Sequence, residues 1–198
     1  MRARRPNGGF SLPEILVATF MASIALTSLV SFAAAQRRGF CLIQERIAAN
    51  QTLRLALEML GRDLRRAGFD ARGTAVEPVA AAGSTTLSLQ QDDDGDGVID
   101  SGSEESITYA FRPAVGTLSR VVGSQSMPLA TGLPPDGFQL SYMDADGTQL
   151  DAAGRDLDAA ERARIRRIRA ALLARDAGGE ALASAVVEAA LRNRPWTP

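Results

Sequence analysis

From Ile15 to Ala35 the chain runs 21 residues without a charge. As a helix rising 1.5 Å per residue, this run covers about 32 Å, enough for the hydrocarbon core of a bilayer. A secretory signal's apolar region is shorter, usually about 7–15 residues. Residues 10–35 are therefore expected to form a transmembrane helix. Arg2, Arg4 and Arg5 precede it and favour a cytoplasmic N-terminus, while Arg37 and Arg38 beyond it weaken that asymmetry. The bulk of the chain is then expected outside the cytoplasmic membrane.

The helical pattern continues past Ala35. Phe40, Ile43, Ile47, Leu53, Leu57, Leu60 and Leu64 recur in steps of three and four, interrupted once at Asn50 and Gln51. One helix is expected from Phe10 to about Ala67, with residues 36–68 as its amphipathic continuation, Gly39 permitting a bend and Gly68 as C-cap. Glu58 and Arg62 are spaced to pair on its surface. Cys41 reads as a free thiol, buried or interfacial. From Asp70 onward the composition shifts to Gly, Ser, Thr, Pro and Asp, and residues 69–198 are expected to form a β-rich globular head. Strand-like runs fall at Thr85–Gln90, Ser106–Phe111, Thr117–Val122 and Phe138–Tyr142. The simplest arrangement is an antiparallel sheet with one face against the long helix, an α+β fold.

One residue is out of place in a plain membrane anchor. Glu14 lies at the start of the apolar stretch, four residues after Phe10. An unpaired carboxylate in the bilayer interior costs about 2.5–3.5 kcal/mol on insertion scales. Either it sits at headgroup level, or a cation is brought to it.

The hexapeptide Gly9-Phe10-Ser11-Leu12-Pro13-Glu14, behind a short basic leader and ahead of about twenty apolar residues, resembles the N-terminal signal of type IV prepilins and type II secretion pseudopilins. The resemblance implies a pilin-like fold with a long N-terminal helix packed on an antiparallel head. It implies cleavage after Gly9 by a membrane prepilin peptidase, N-methylation of Phe10, and pairing of Glu14 with a terminal amine during filament assembly. Residues 1–9 would then be a leader, and the mature chain would carry −1 − 3 = −4 over 198 − 9 = 189 residues. The implied partners are the peptidase, other minor and major pilins through the N-terminal helix, and an inner-membrane assembly platform. The implied location is the bacterial inner membrane with the head in the periplasm, then the pilus or pseudopilus. Leu55–Phe69, reading LALEMLGRDLRRAGF, is similar to the corresponding helix end of PilW-like minor pilins.

Composition narrows the chemistry. The chain has no His, one Cys and 22 basic residues, all of them Arg. This excludes His-based catalytic triads, Schiff-base lysines, P-loops and internal disulfides. Carboxylate chemistry, oxygen-ligand metals and structural or binding roles remain. No enzyme activity is expected.

Five carboxylates fall within Asp92–Asp100. Asp92, Asp94, Asp96 and Gly97 match the first half of a D-x-D-x-D-G calcium loop, and Ile99 stands where such loops place an apolar residue. Position twelve is Ser103 rather than a carboxylate, so Glu104 or Glu105 would have to close the loop late. The Ca²⁺ ligand set expected on this basis is Asp92, Asp94, Asp96, Asp100 and Glu104. The alternative is a solvated hairpin connection. Asp144–Gly147 reads as a turn.

In the last third, Asp158–Arg175 has helical spacing at Leu157, Ile165, Ile168 and Leu172. PilW-like and J-like subunits have strands similar to IRRIRAALLAR and SAVVEAALRNR, so a short helix to about Arg164 followed by a strand over Ile165–Arg175 is expected. Arg162, Arg164, Arg166, Arg167 and Arg169 form a basic cluster without interleaved aromatics. It reads as a solvated face, and no nucleic-acid partner is expected. Taken together the sequence reads as a minor type IV pilin that primes or caps a filament. The alternatives are a J-like minor pseudopilin of type II secretion and a membrane-tethered, calcium-dependent adhesion module.

Overall fold

The computed structural model describes residues 10–70, 72–73, 75–152 and 154–193. Helix α1 runs unbroken over Leu12–Arg66, through both Gly39 and the Asn50-Gln51 interruption. The Asn50 side chain donates to the Arg46 carbonyl at 2.9 Å, so the polar break is absorbed within the helix. The chain divides after Glu45 into two compact units.

In the first unit every large apolar side chain among the described residues is exposed, from Phe10 to Ile43. The hydroxyls of Thr19, Ser23, Thr27, Ser28 and Ser31 each donate to a carbonyl three or four residues earlier. The apolar run therefore leaves no side-chain hydroxyl without a partner in its own helix, as a lipid surrounding demands. This helix is long and apolar enough to cross a membrane. Cys41 is free and exposed.

In the second unit Leu53, Ala56, Leu57, Leu60, Leu64 and Ala67 form the buried stripe of α1, in one hydrophobic cluster with the sheets. This is the face that the spacing of Leu53, Leu57, Leu60 and Leu64 marks, whereas Phe40, Ile43 and Ile47 of the same pattern are exposed. The Glu58–Arg62 pair is not among the ion pairs of the described residues. α1 ends with Arg65 and Arg66 in its last turn, where cations suit the carbonyl end of the helix dipole. Gly68 follows with φ +73°, and its N–H turns to the Gln90 carbonyl at 2.7 Å. A Cβ there would lie 2.4 Å from the Asn193 carbonyl oxygen, so both backbone sign and space require glycine.

The head holds two antiparallel sheets rather than one. The first is a meander of β1 (Val79–Ala82), β2 (Thr86–Gln90), β3 (Ser106–Arg112), β4 (Thr117–Val122) and β5 (Gln125–Ala130) in sequence order. The second contains β6 (Phe138–Met143), β7 (Gln149–Leu150), β8 (Arg167–Arg175) and β9 (Ala181–Ala190), ordered β7-β6-β8-β9. Alternation is clean on β3, where Ile107, Tyr109 and Phe111 point inward, and on β8, where Ile168, Ala170, Leu172 and Ala174 do. The sheets are joined by the edge-on rings of Phe111 and Phe138, 6.0 Å apart, and by the Tyr142 hydroxyl donating to the Gly83 carbonyl at 2.7 Å.

Strands β2, β3, β4 and β6 match the expected runs to within a residue. Helix α2 (Ala159–Arg164) also lies where expected, starting at a capping box between Asp158 and Glu161. Arg155 holds Glu161 with two bonds of 2.7 Å, and its guanidinium brings that carboxyl down to about 2. Beyond it, Arg167–Arg175 is a strand paired with β6 and β9. Strands β1, β5 and β7 lie outside the expected set. β1 reads VAAA, with little strand preference, and β5 carries Pro128 on a sheet edge beside a register shift, where a strand tolerates it.

A polar clasp fastens α1 to the first sheet. Asp63 lies on the buried stripe, three residues after Leu60, and is 5 % exposed. Its Oδ2 accepts from the Tyr109 hydroxyl at 2.7 Å and from Arg120 Nε at 2.8 Å. Burial and the adjacent Asp63 charge push the Tyr109 phenol well above its ordinary value. Asp63→Ala leaves the buried Tyr109 hydroxyl without its acceptor and Arg120 with Glu104 alone, so it should destabilise the chain by about 3 kcal/mol. Tyr109→Phe removes one hydrogen bond and should cost about 1 kcal/mol. Urea unfolding of the detergent-solubilised chain, followed at the head, measures both.

Candidate functional site

Two groups of expected site residues can be placed. The first lies at the start of α1. Gly9 lies outside the described residues. Phe10 is exposed and precedes the helix. Ser11 is the residue before the first helical turn, and Glu14 lies in that turn. The Glu14 carboxylate accepts from the Ser11 backbone N–H at 3.3 Å, half of a capping box, and lies 3.4 Å from the Ser11 hydroxyl. Pro13 adds no N–H to the group that needs capping. In the single chain, Glu14 is therefore held by its own helix start, exposed, with no cation of the described residues on it.

The second group is the Asp-rich loop between β2 and β3. Carboxylate oxygens of Asp92, Asp94 and Asp96 lie within 4.8 Å of one another, an arrangement that can hold a metal ion. Asp92 is fully buried, and its two oxygens accept from Gly95 N at 2.6 Å and Gly97 N at 3.0 Å. Gly95 and Gly97 have φ of +74° and +86°, which curl the loop around this carboxylate. Asp94 accepts from Asp96 N, and Asp96 from Val98 N, each through one oxygen, leaving the other for an external ligand.

The loop does not bring Asp100 or Glu104 to the trio. Glu104 turns outward to the Arg120 guanidinium, one bond being 3.2 Å, and this side-chain bonding holds its carboxyl below the usual range. Glu105 is the residue that turns in. Its Oε1 accepts from Asp93 N at 2.9 Å and Asp94 N at 3.3 Å, while Oε2 accepts from Asp100 N at 2.9 Å. A Glu at that step satisfies backbone donors on both arms of the loop, so it closes the loop as an anchor and not as a ligand. These bonds, led by the one from Asp100, outweigh the opposing effect of burial and lower the Glu105 carboxyl.

The loop is tied to the end of α1. Arg66 grips Asp93 with bonds of 2.7 and 2.6 Å, and Asp92 N donates to the Phe69 carbonyl at 2.8 Å. Asp70 nearby accepts from the backbone N–H of Arg72, Gly73, Ala75 and Val76. Burial raises its carboxyl, but these bonds prevail and lower it. An anionic loop beside a helix C-terminus faces the negative end of the dipole, so any cation there is favoured twice. Arg66 supplies one.

In the basic cluster, Arg164 pairs with Asp144 at 2.7 Å, Arg167 with Glu188 at 3.6 Å, and Arg166 donates to the Ala163 and Ile165 carbonyls. These guanidinium groups are engaged within the fold. The sequence reading missed the clasp of Asp63, Tyr109 and Arg120. The available signal was a carboxylate on the apolar stripe. A comparison with protein-family models finds no match, and neither does a comparison with curated proteins.

Glu105 has a lowered folded-state value, so its stabilisation is present above the ordinary glutamate value of 4.5 and is lost as pH falls through the lowered one. Glu105→Gln should lower the melting temperature at pH 7 and flatten the decline on the acid side. Melting curves from pH 7 to about pH 2 test this.

Proposed function

We propose that this protein is a minor subunit of a type IV pilus, cleaved after Gly9, N-methylated at Phe10, and assembled through α1. The observation that carries the reading is the Gly9–Glu14 motif standing directly before a helix that runs from Leu12 to Arg66. The exposed apolar surface from Phe10 to Ile43 supports it, because such a surface needs lipid or a bundle of like helices. In the membrane the carboxylate of Glu14 is tolerable with a cation beside it. Cleavage creates one, the ammonium group at Phe10 of an incoming or preceding subunit. Each charge offsets the other's desolvation only when both are present, so the pair fixes the axial register of subunits. The membrane-inserted form has its head on the periplasmic side. The role is structural and calls for no catalytic group.

The Asp92, Asp94 and Asp96 trio supports a second property, Ca²⁺ binding by the head. The ligands are hard oxygens, and three carboxylates within 4.8 Å repel one another without a cation. This would make the head a calcium-dependent module.

Mass analysis of the purified chain should give an N-terminus of N-methyl-Phe10, and a chain beginning at Met1 would overturn the filament reading. Glu14→Ala should be processed and inserted, yet enter sheared filament fractions poorly. Calcium at about 100 times its dissociation constant should add about 2.7 kcal/mol of stability. Asp92→Asn should abolish that gain, and a calorimetric titration with millimolar Ca²⁺ showing no heat removes the calcium site.

A further inference from the structure

The edges of the two sheets are protected unequally. β1 has four residues and an irregular register, β5 carries Pro128 and a register shift, and β7 has two residues. Short, bulged or proline-bearing strands resist pairing with another chain. β9 is the exception. It is the outer strand of its sheet, ten residues long, and contains no proline. Its single charge, Glu188, is drawn to Arg167 on β8. Its one irregularity lies at its start, opposite Arg175.

Beside this edge runs a groove of about 360 Å³ between α1 and β9. Inward positions Ala183 and Ala189 are buried, but Ala185 and Val187 between them are only half-buried. Leu57, Gly61, Ala185 and Val187 make an apolar floor. Gly61 is fitted to this contact, since a Cβ there would lie 3.0 Å from the Val187 methyl. Arg54, Arg62 and Arg65 line the rim with Glu58, all exposed. None of these three arginines belongs to an ion pair among the described residues, whereas Arg66, Arg120, Arg155, Arg164, Arg167 and Arg175 each do.

We propose that this groove receives an extended, acidic segment of a partner protein, added to β9 as a further antiparallel or parallel strand. The backbone edge of β9 supplies the hydrogen bonds. Alternate side chains of the segment enter the apolar floor, and its carboxylates meet the arginine rim, which is positive by three charges against one. An acidic occupant follows from that imbalance, and an extended one from the length of the free edge. The inference is independent of the filament reading, because it concerns the head alone.

The test uses the full chain in detergent and three labelled, end-blocked octapeptides, measured by fluorescence anisotropy. One alternates Glu and Val, one alternates Lys and Val, and one is the Glu–Val peptide N-methylated at alternate amides. The Glu–Val peptide should bind saturably, more weakly as salt rises, and at least tenfold more weakly to the Arg54→Gln, Arg62→Gln variant, whose melting temperature should be unchanged. The other two peptides should not bind. Equal binding by the Lys–Val or N-methylated peptide overturns the proposal, as does unchanged binding by the variant or no saturation at millimolar peptide. Concentration-dependent self-association of the chain, removed by the same two substitutions, would overturn it in favour of a second copy as occupant.

Discussion

The head is organised around the buried carboxylate of Asp63. It is the one charged side chain on the apolar stripe of α1, and a charge in that position is tolerable only with its partners in place. Tyr109 on β3 and Arg120 on β4 supply them at 2.7 and 2.8 Å. Apolar packing alone would let a helix slide or rotate along a sheet at modest cost. A buried acceptor with two directional donors removes that freedom. The clasp thereby fixes which residues of α1 face the first sheet, and so where the end of the helix lies against that sheet.

That ending positions the Asp loop. Arg120 bridges inward to Asp63 and outward to Glu104, so one guanidinium connects the helix to the far arm of the loop. Arg66 connects it to the near arm through Asp93. Glu105 then gathers the backbone donors of both arms. Asp92, Asp94 and Asp96 are left as the carboxylates facing one another. The loop is held by charge on three sides before any ion is considered.

Much of the fold was legible from local pattern. Leu53, Leu57, Leu60 and Leu64 marked the buried face of α1, and the alternation of β3 marked an amphipathic strand. Asp158 and Glu161 marked the start of α2. What was hidden had physical causes. Ile168 and Leu172 are four apart, a spacing that suits both a helical face and two steps of a strand, so β8 is decided by its pairing with β6 and β9. The VAAA of β1 carries almost no intrinsic preference and is a strand because β2 pairs with it. Of the expected metal ligands, Asp92, Asp94 and Asp96 are brought together, and Glu104 is not. Glu104 and Glu105 point opposite ways on successive residues, and only the positions of Arg120 and the loop amides determine which turns in.

By itself the sequence determined the long helix, its apolar run, the motif before it and the point where it ends. These follow from hydrophobic periodicity, capping chemistry and glycine's positive φ, all of which act within a few residues. Only the tertiary structure decided that the head contains two sheets, that Asp63 is a clasp, that Glu105 closes the loop, and that β9 is an outer strand beside three arginines that form no ion pair among the described residues. Those outcomes depend on which distant groups satisfy one another once buried, and nothing in local spacing encodes that choice.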